Sequence, residues 1–357
     1  MAIRSKALRP SQWQARRVIP VQPKRIRHVA TAYLKTAEGV KTLELTKIAD
    51  LPSETIWLDL LGPSREDERL VESFLGIDVP TEQEIEEIED SSRFYQKNNS
   101  IYLTVTLLTR FETGQPTSTD IRFILTPHRL ISVRYGESKP FKIFSSRLLR
   151  DREASESSDI MMERMLELVV DDLADILEET ALKLDRLARK VFFSSAPGKA
   201  AESDAGSMDL KEMITEIGRY GEFISEARLS VFNMNRLLIF LSQTSVKWWQ
   251  SDTRTRLQTL LRDIRSLTEH ATFIANRVNF ILDATLGMIN IEQNKIIKIF
   301  SVAAVVFLPP TLIASIYGMN FHFMPELHWA YGYPVSLGLM IMAAVLPYWY
   351  FKRRGWL

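Results

Sequence analysis

Two long stretches without a charged side chain lie near the carboxyl end of this chain and limit what it can fold into. No Asp, Glu, Lys or Arg occurs between Lys298 and Glu326, or between Glu326 and Lys352. Each stretch is long enough for the ~20 residues that an apolar helix needs to cross a bilayer. The chain is therefore predicted to contain a membrane hairpin. Its parts are a first span at residues 296–317, a loop at 318–332 and a second span at 333–351.

The basic residues around these spans predict how the hairpin is oriented. Lys295 and Lys298 flank the first span, and Lys352, Arg353 and Arg354 follow the second, whereas the loop between the spans has no Lys or Arg. Basic residues are retained on the cytoplasmic side of a membrane. We therefore expect both termini in the cytoplasm and the loop outside, with a basic cytoplasmic end at residues 352–357.

Composition argues against several other functions. The 357 residues include no cysteine, which excludes disulfides, thiolate zinc sites and a cysteine nucleophile. A formal net charge of +1 does not suit a nucleic-acid-binding protein. No glycine-rich loop that would cradle a phosphate is visible, and no nucleophile lies in a pattern with a base. The chain is not expected to be an enzyme, and any transport should be passive.

The residues before the spans have the sequence pattern of an α/β domain followed by long helices. Short segments rich in Val, Ile, Thr, Leu and Tyr predict strands, and they alternate with helical patterns. The expected strands are 29–35, 41–47, 55–60, 101–108, 121–126 and 129–135, with helices at 65–75 and 81–90. The predicted organisation is a basic arm at 1–28, an α/β domain at 29–157, an antiparallel helical pair at 158–248 and a stalk helix at 249–295.

The stalk and the first span should form one helix from about residue 251 to 317, which is roughly 100 Å long at 1.5 Å per residue. Pro309 and Pro310 should open it locally. One line of apolar residues, spaced alternately by three and four, predicts packing against other helices. Its members are Leu257, Leu260, Ile264, Leu267, Ala271, Ile274, Val278, Ile281 and Thr285.

A second line on the same helix mixes small, polar and apolar side chains, and lacks bulky aromatic ones. A face that contacts only lipid or a protein core would be richer in Leu, Ile and Phe, so this composition favours the lining of a pore. The line begins at Asp283, Gly287 and Asn290. We call its membrane part the pore line: Asn294, Ile297, Ser301, Ala304, Leu308, Thr311 and Ser315.

The first span ends in Tyr-Gly-Met-Asn-Phe at residues 317–321, followed by Met-Pro-Glu-Leu at 324–327. This pair of motifs resembles the signature of the CorA family of bacterial magnesium and cobalt channels, and the similarity extends through residues 290–294 and 350–357. The resemblance implies an α/β/α cytoplasmic domain, a long stalk and five copies around one pore in the bacterial inner membrane. It also implies gated transport of Mg²⁺, with Co²⁺ and Ni²⁺ as further cargo.

The resemblance also implies roles for individual residues. Gly318, Met319 and Asn320 would form the selectivity filter, in which a ring of Asn320 carboxamides accepts hydrogen bonds from the water shell of a hydrated cation. Glu326 would lie at the outer mouth. Glu84 and Asp283 would bind regulatory Mg²⁺ between subunits and hold the channel closed when internal Mg²⁺ is high.

Two other functions fit parts of the sequence. His322 stands where many family members have an acid, and with His328 it gives the loop two imidazoles, which favours a zinc-transporting branch of the superfamily. Attraction of cations to this mouth should weaken below about pH 6.5. Alternatively, the hairpin would only anchor a scaffold that conducts nothing, although an anchor has no need of a polar line on one helix face.

Overall fold

The computed structural model describes residues 29–45, 51–76, 93–110, 116–150, 157–193, 210–244, 246–320, 324–325 and 329–355. The predicted basic arm and the predicted helix at 81–90 lie outside these ranges. The chain divides into two compact units. The first comprises Met1–Ala174 and Leu229–Thr268, and the second comprises Asp175–Arg228 and Glu269–Leu357.

The first unit is built on a seven-stranded mixed sheet with the order β2-β1-β3-β7-β6-β5-β4. Only the β3–β7 pair is parallel, and every other neighbouring pair is antiparallel. The sequence had predicted six strands and missed the short edge strand β4. The strands are β1 (Val29–Thr36), β2 (Gly39–Leu45), β3 (Thr55–Leu61), β4 (Phe94–Lys97), β5 (Ser100–Arg110), β6 (Pro116–Leu125) and β7 (Leu130–Arg134).

Helices cover the two faces of the sheet because the central strands are apolar on both sides. Helix α1 (Arg65–Leu75) places Val71 in a buried cluster with Leu58, Leu60 and Ile131. Side chains alternate along a strand, so Trp57 points to the opposite face. There it packs against helix α2 (Lys139–Leu148), with its ring centroid 5.0 Å from that of Phe144. The sequence reading had missed α2.

Local chemistry explains where α1 begins and ends. The Ser64 hydroxyl accepts a hydrogen bond from the Asp67 amide, and the Asp67 carboxylate accepts one from the Ser64 amide, forming a capping box. At the other end Gly76 adopts the left-handed conformation, with φ at 65°. Glycine has little penalty there because it carries no Cβ.

A buried ion pair joins the two parallel strands on the face covered by α2. Arg134 donates to both carboxylate oxygens of Asp59, with the Nη2–Oδ2 distance at 2.8 Å. Ser132 also donates to Asp59 at 2.7 Å, and Trp57 donates to Ser132. Both charged side chains are more than nine-tenths buried. Since each charge is satisfied by the other, removing one would leave the second uncompensated.

Three long helices follow the sheet, and each contributes to both units. They are α3 (Ser158–Phe193), α4 (Leu210–Gln243) and α5 (Ser251–Tyr317), and a further helix α6 (Gly332–Arg353) ends the described chain. The apolar line predicted to pack against other helices is buried along α5 except at Leu267, which is half-buried. Buried Thr285 donates its hydroxyl to the Ile281 carbonyl, which makes this polar residue tolerable in the line.

The predicted fold class is confirmed in its architecture: a mixed α/β domain, a long helix and two apolar helices at the carboxyl end. One expectation about α5 is wrong. The helix remains continuous through Pro309 and Pro310 and does not open there. The two missing amide donors free the carbonyls of Val305 and Val306 four residues earlier, while the neighbouring turns retain helical geometry.

Two buried carboxylates lie in the first turns of α3. Asp159 accepts hydrogen bonds from the Gln250 amide at 2.9 Å and from the Thr253 hydroxyl at 2.8 Å, so it caps the start of α5. Glu163, one turn later, is 4% exposed, and the Arg256 guanidinium is 3.8 Å from its carboxylate. Burial raises the pKa of Glu163, and the charge of Arg256 only partly opposes that effect.

The raised pKa of Glu163 predicts a direction for stability against pH. In the unfolded chain the Glu163 carboxyl has a pKa of about 4.5, and below that pH it is protonated in both states, so the fold keeps its full stability. As pH rises through the higher pKa of the folded state, the fold loses stability because it disfavours the ionised carboxylate. We expect Glu163→Gln to unfold at a temperature equal to or above that of wild type near pH 8. Thermal unfolding of the full chain in detergent, followed across about pH 5 to 8, measures this.

Glu178 provides the control, because it is exposed on the same helix about four turns after Glu163. Glu178→Gln should leave the unfolding temperature and its pH dependence unchanged. A lower unfolding temperature for Glu163→Gln near pH 8 would mean that attraction to Arg256 outweighs the cost of burying the carboxylate.

Candidate pore-lining face

The pore line lies on the part of α5 that is long and apolar enough to cross a membrane. In the described part of the chain two helices meet that criterion, Asp252–Tyr317 and Gly332–Arg353, and only 6% of the apolar window of each is buried within the chain. Every residue of the pore line is exposed, including Ile297 at 61% and Leu308 at 65%. The line is therefore mostly uncovered by the described part of one chain, and other copies could contact it.

Exposure alone does not separate a pore face from a lipid face, because other side chains of this span are equally exposed. Phe300 and Phe307, seven residues apart, are 72% and 70% exposed and form a separate aromatic line. The pore line differs in chemistry, since it mixes one carboxamide and three hydroxyls with three aliphatic side chains. Composition, rather than burial, therefore distinguishes the two faces.

Thr311 shows how this face can present acceptors to a hydrated cation. Its Oγ1 donates to the Phe307 carbonyl at 2.7 Å. Because the hydroxyl hydrogen is used by the backbone, the oxygen offers only lone pairs outward. Water molecules around a cation donate hydrogen bonds, so a hydroxyl held in this way matches them.

The end of α5 explains why glycine occupies position 318. The Gly318 amide donates to the Ala314 carbonyl at 2.9 Å, and the Met319 amide donates to the Ile316 carbonyl at 3.3 Å. A Cβ on Gly318 would lie 3.2 Å from the Ala314 carbonyl oxygen. Gly318 does not adopt a positive φ. A side chain at position 318 would therefore make one tight backbone contact, and Asn320 follows as an exposed residue.

The structure does not bring all the predicted site residues together. Asp283 lies exposed on α5, in the second unit. Glu84, Glu326, His322 and His328 lie outside the described residues. Within the described ranges no group of three or more His, Asp or Glu side chains could hold a metal ion.

Two large exposed side chains on α5 were missed by the sequence reading. Phe273 and Phe280 are 59% and 62% exposed, on the part of the helix that precedes the apolar span. Each is followed at intervals of seven residues by the next, and the series continues with Gly287 and Asn294. This spacing could have identified them from the sequence. Such a step keeps residues on one side of a supercoiled helix. The aqueous part of this helix therefore carries an apolar surface aligned with the pore line.

Comparison with known proteins gives a consistent result. The family model described as CorA-like Mg²⁺ transporter protein matches residues 52–353. The magnesium transport protein CorA of Pasteurella multocida is 37% identical over 325 residues, which cover 91% of this chain and 98% of that protein. The protein of the same name from Haemophilus influenzae strain Rd is 36% identical over 310 residues, covering 85% and 92%.

The fold also matches a solved structure. The complete CorA magnesium transporter from Methanocaldococcus jannaschii superposes with a TM-score of 0.71 at 19% identity, covering 92% of this chain and 99% of that one. At this identity the likeness concerns the fold. It extends over nearly the whole length of both chains.

Proposed function

Since this chain belongs to the CorA-like Mg²⁺ transporter family, we propose that it is a gated channel for passive entry of Mg²⁺ into the bacterial cytoplasm. It is a membrane protein with two carboxyl-terminal spans and is not an enzyme. The observation that carries the proposal is the continuity of the pore line with Gly318, Met319 and Asn320 at the end of one exposed helix. Co²⁺ and Ni²⁺ are proposed as further cargo.

The pore would select a cation through its water shell. Mg²⁺ gives up water reluctantly, so a filter that accepts hydrogen bonds from bound water suits it better than one that strips the ion. Asn320 supplies a neutral carboxamide oxygen for this purpose, and Thr311 supplies an oriented hydroxyl oxygen deeper in the span. Ile297 and Leu308 would close the pore by dewetting when the helices approach.

A single chain cannot enclose such a pore, since it has two spans. We propose a homopentamer with one α5 helix from each copy around the axis, a number that rests on the family resemblance. The exposed Phe273 and Phe280 support an assembly, because large apolar side chains on an aqueous helix are stabilised when a neighbouring copy covers them. Both termini would face the cytoplasm of the inner membrane.

The domain limits proposed from the sequence follow the same plan. The α/β domain at 29–157 and the helical pair at 158–248 would sense the cytoplasm, and the stalk at 249–295 would transmit their state to the span at 296–317. The loop at 318–332, with Glu326, would form the outer mouth, and the span at 333–351 would face lipid.

Closure would depend on Mg²⁺ held by Asp283, with Glu84 as its partner from the adjoining subunit. Asp283 is exposed in one chain, so its carboxylate is available to such a contact. Bound Mg²⁺ would neutralise facing carboxylates and stabilise a symmetric closed state, and loss of Mg²⁺ would leave repulsion that loosens the stalk.

Asp283→Ala tests this gate. We expect Mg²⁺ influx to continue at internal Mg²⁺ levels that shut the wild type, because the variant has no carboxylate with which to bind the regulatory ion. Influx into vesicles preloaded with graded Mg²⁺ measures it. Asp263→Ala, an exposed acid on the same helix, is the control and should close normally. An Asp283→Ala channel that closes as wild type does would remove this residue from the gate.

The function itself is tested by Mg²⁺ influx into liposomes that contain the full chain and a Mg²⁺-sensitive dye. Wild-type protein should conduct, and protein-free liposomes should not. Zn²⁺ influx without Mg²⁺ influx would assign the chain to the zinc-transporting branch. A folded chain that forms no oligomer and conducts neither ion would favour the scaffold.

A further inference from the structure

The last turns of α6 and its C-cap carry four consecutive aromatic residues, from Tyr348 to Phe351, followed by three basic ones. Each cation lies over the aromatic ring four residues earlier, which is the spacing that brings side chains together on a helix. We call these six residues the C-terminal collar. Its pairs are Lys352 with Tyr348 at 6.0 Å, Arg353 with Trp349 at 3.6 Å and Arg354 with Tyr350 at 5.4 Å, measured from the cationic atom to the ring centroid.

The collar surrounds the helix instead of forming one patch. Consecutive residues of an α-helix differ by about 100° in direction, so three consecutive pairs cover most of its circumference. All six side chains are exposed. The helix ends at Arg353, and the C-cap Arg354 donates its amide to the Tyr350 carbonyl before Gly355 turns the chain with a φ of 70°. Five collar residues therefore lie on regular helix, and the sixth caps it.

The charges of the collar are not neutralised within the described part of the chain. No described Asp or Glu forms an ion pair with Lys352, Arg353 or Arg354, and none of their side-chain nitrogens donates to a described acceptor. In the closest pair the guanidinium of Arg353 stacks on Trp349 through its face. Its N–H donors lie around the edge of the guanidinium plane and remain available to an anion.

The position of the collar along α6 indicates the anion. The helix is uncharged from Gly332 to Phe351, and the first cation follows at once. Aromatic rings settle at the boundary between hydrocarbon and headgroups, which places the three cations at the level of lipid phosphates. A free phosphate has no reason to prefer this depth, whereas a phospholipid brings its phosphate there and covers the rings with its acyl chains.

We infer that the C-terminal collar binds the headgroups of anionic phospholipids in the cytoplasmic leaflet, with Arg353 on Trp349 as its principal phosphate contact. The inference rests on the membrane orientation within the proposed function but not on conduction. Juxtamembrane cations attract anionic lipid by an amount that corresponds to about fivefold in affinity for each charge. The stacked pair adds a fixed donor geometry to that general attraction.

The test measures which lipids the full chain retains. The protein is reconstituted into mixed phosphatidylcholine and phosphatidylglycerol vesicles and purified in mild detergent. The co-purifying lipids are then counted by mass spectrometry. We expect the retained lipid to be enriched in phosphatidylglycerol relative to the vesicle. Lys352→Gln, Arg353→Gln and Arg354→Gln together should lower that enrichment by at least about fivefold. Excess inorganic phosphate should not change it.

Two further sets of variants keep the inference open to contradiction. Arg254→Gln, Arg262→Gln and Arg265→Gln remove three exposed cations from the same chain outside the apolar span and should leave the enrichment unchanged. Trp349→Leu retains all charges, and it should lose as much enrichment as Arg353→Gln, with no further loss when the two are combined. This second comparison does not depend on the triple variant folding.

Several results would overturn the inference: no enrichment in wild type, equal loss in both triple variants, an unchanged Trp349→Leu, or displacement by inorganic phosphate. Mg²⁺ influx is recorded on the same vesicles before extraction. Wild-type protein that retains phosphatidylglycerol but does not conduct Mg²⁺ would support lipid binding by the collar and overturn the proposed function. Protein that conducts Mg²⁺ but does not retain phosphatidylglycerol would overturn lipid binding by the collar alone.

Discussion

Replacing Asn320 by alanine is expected to lower Mg²⁺ influx by at least about tenfold while the protein remains folded. A net hydrogen bond contributes about 0.5–1.5 kcal/mol, and a ring of lost carboxamides removes several of them from the hydrated ion at once. About 1.4 kcal/mol already corresponds to a factor of ten. Influx into dye-loaded liposomes, compared at equal amounts of oligomer, measures the effect.

Two variants make this test specific. Asn279→Ala removes an exposed carboxamide from the same helix outside the apolar span and should leave influx unchanged. Asn320→Asp replaces the neutral ring by carboxylates, which should hold the cation too strongly and slow its release. Equal influx through wild type and Asn320→Ala would move selection to another position on the pore line.

The largest expected effect on stability is at Asp59, far along the sequence from the pore line. Asp59→Ala leaves the Arg134 guanidinium buried without its counter-ion, and breaking a buried ion pair in this way costs about 3–5 kcal/mol. Ser132 loses its acceptor as well. Hydrogen exchange of the β3 and β7 amides, measured on the full chain in detergent, should accelerate by about a hundredfold or more.

The sheet offers a matched control. Glu38 and Lys41 form an ion pair at 2.9 Å, but both side chains are mostly exposed. Glu38→Ala should change exchange in β1 and β2 very little, because exposed pairs contribute about 0–1 kcal/mol. Replacing Asp59 and Arg134 together by leucine should recover much of the loss. If Asp59→Ala exchanged as slowly as Glu38→Ala, the buried pair would not stabilise the two parallel strands.

The sequence predicted the elements whose signals are local. The uncharged spans, the long α5 helix and its buried apolar line all follow from spacing and composition along one stretch of chain. The start of α1 is likewise predicted by Ser64, because serine is a favoured N-cap residue. Strand β4 was missed because four residues, Phe94–Lys97, carry too little pattern. Helix α2 was missed although Phe141, Phe144 and Leu148 have the spacing of a buried helix face. The structure shows that Phe141 and Phe144 pack against Trp57.

The backbone at Gly318 also needed the structure. It has no positive φ, and a Cβ there would lie close to the Ala314 carbonyl oxygen. Similarly, the sequence predicts that Pro309 and Pro310 open α5, whereas the structure has a continuous helix in which the Thr311 hydroxyl donates to the Phe307 carbonyl.

The sequence by itself determined the membrane hairpin, the family and the order of residues on the pore line. Each of these depends on charge and hydropathy along a single segment, or on a contiguous motif. Only the tertiary structure decided that Asp59 meets Arg134 across two strands 75 residues apart, and that Asp159 caps the start of α5 from another helix. The sheet register and the packing of the helices bring these side chains together. No local sequence pattern identifies which residue will be the partner.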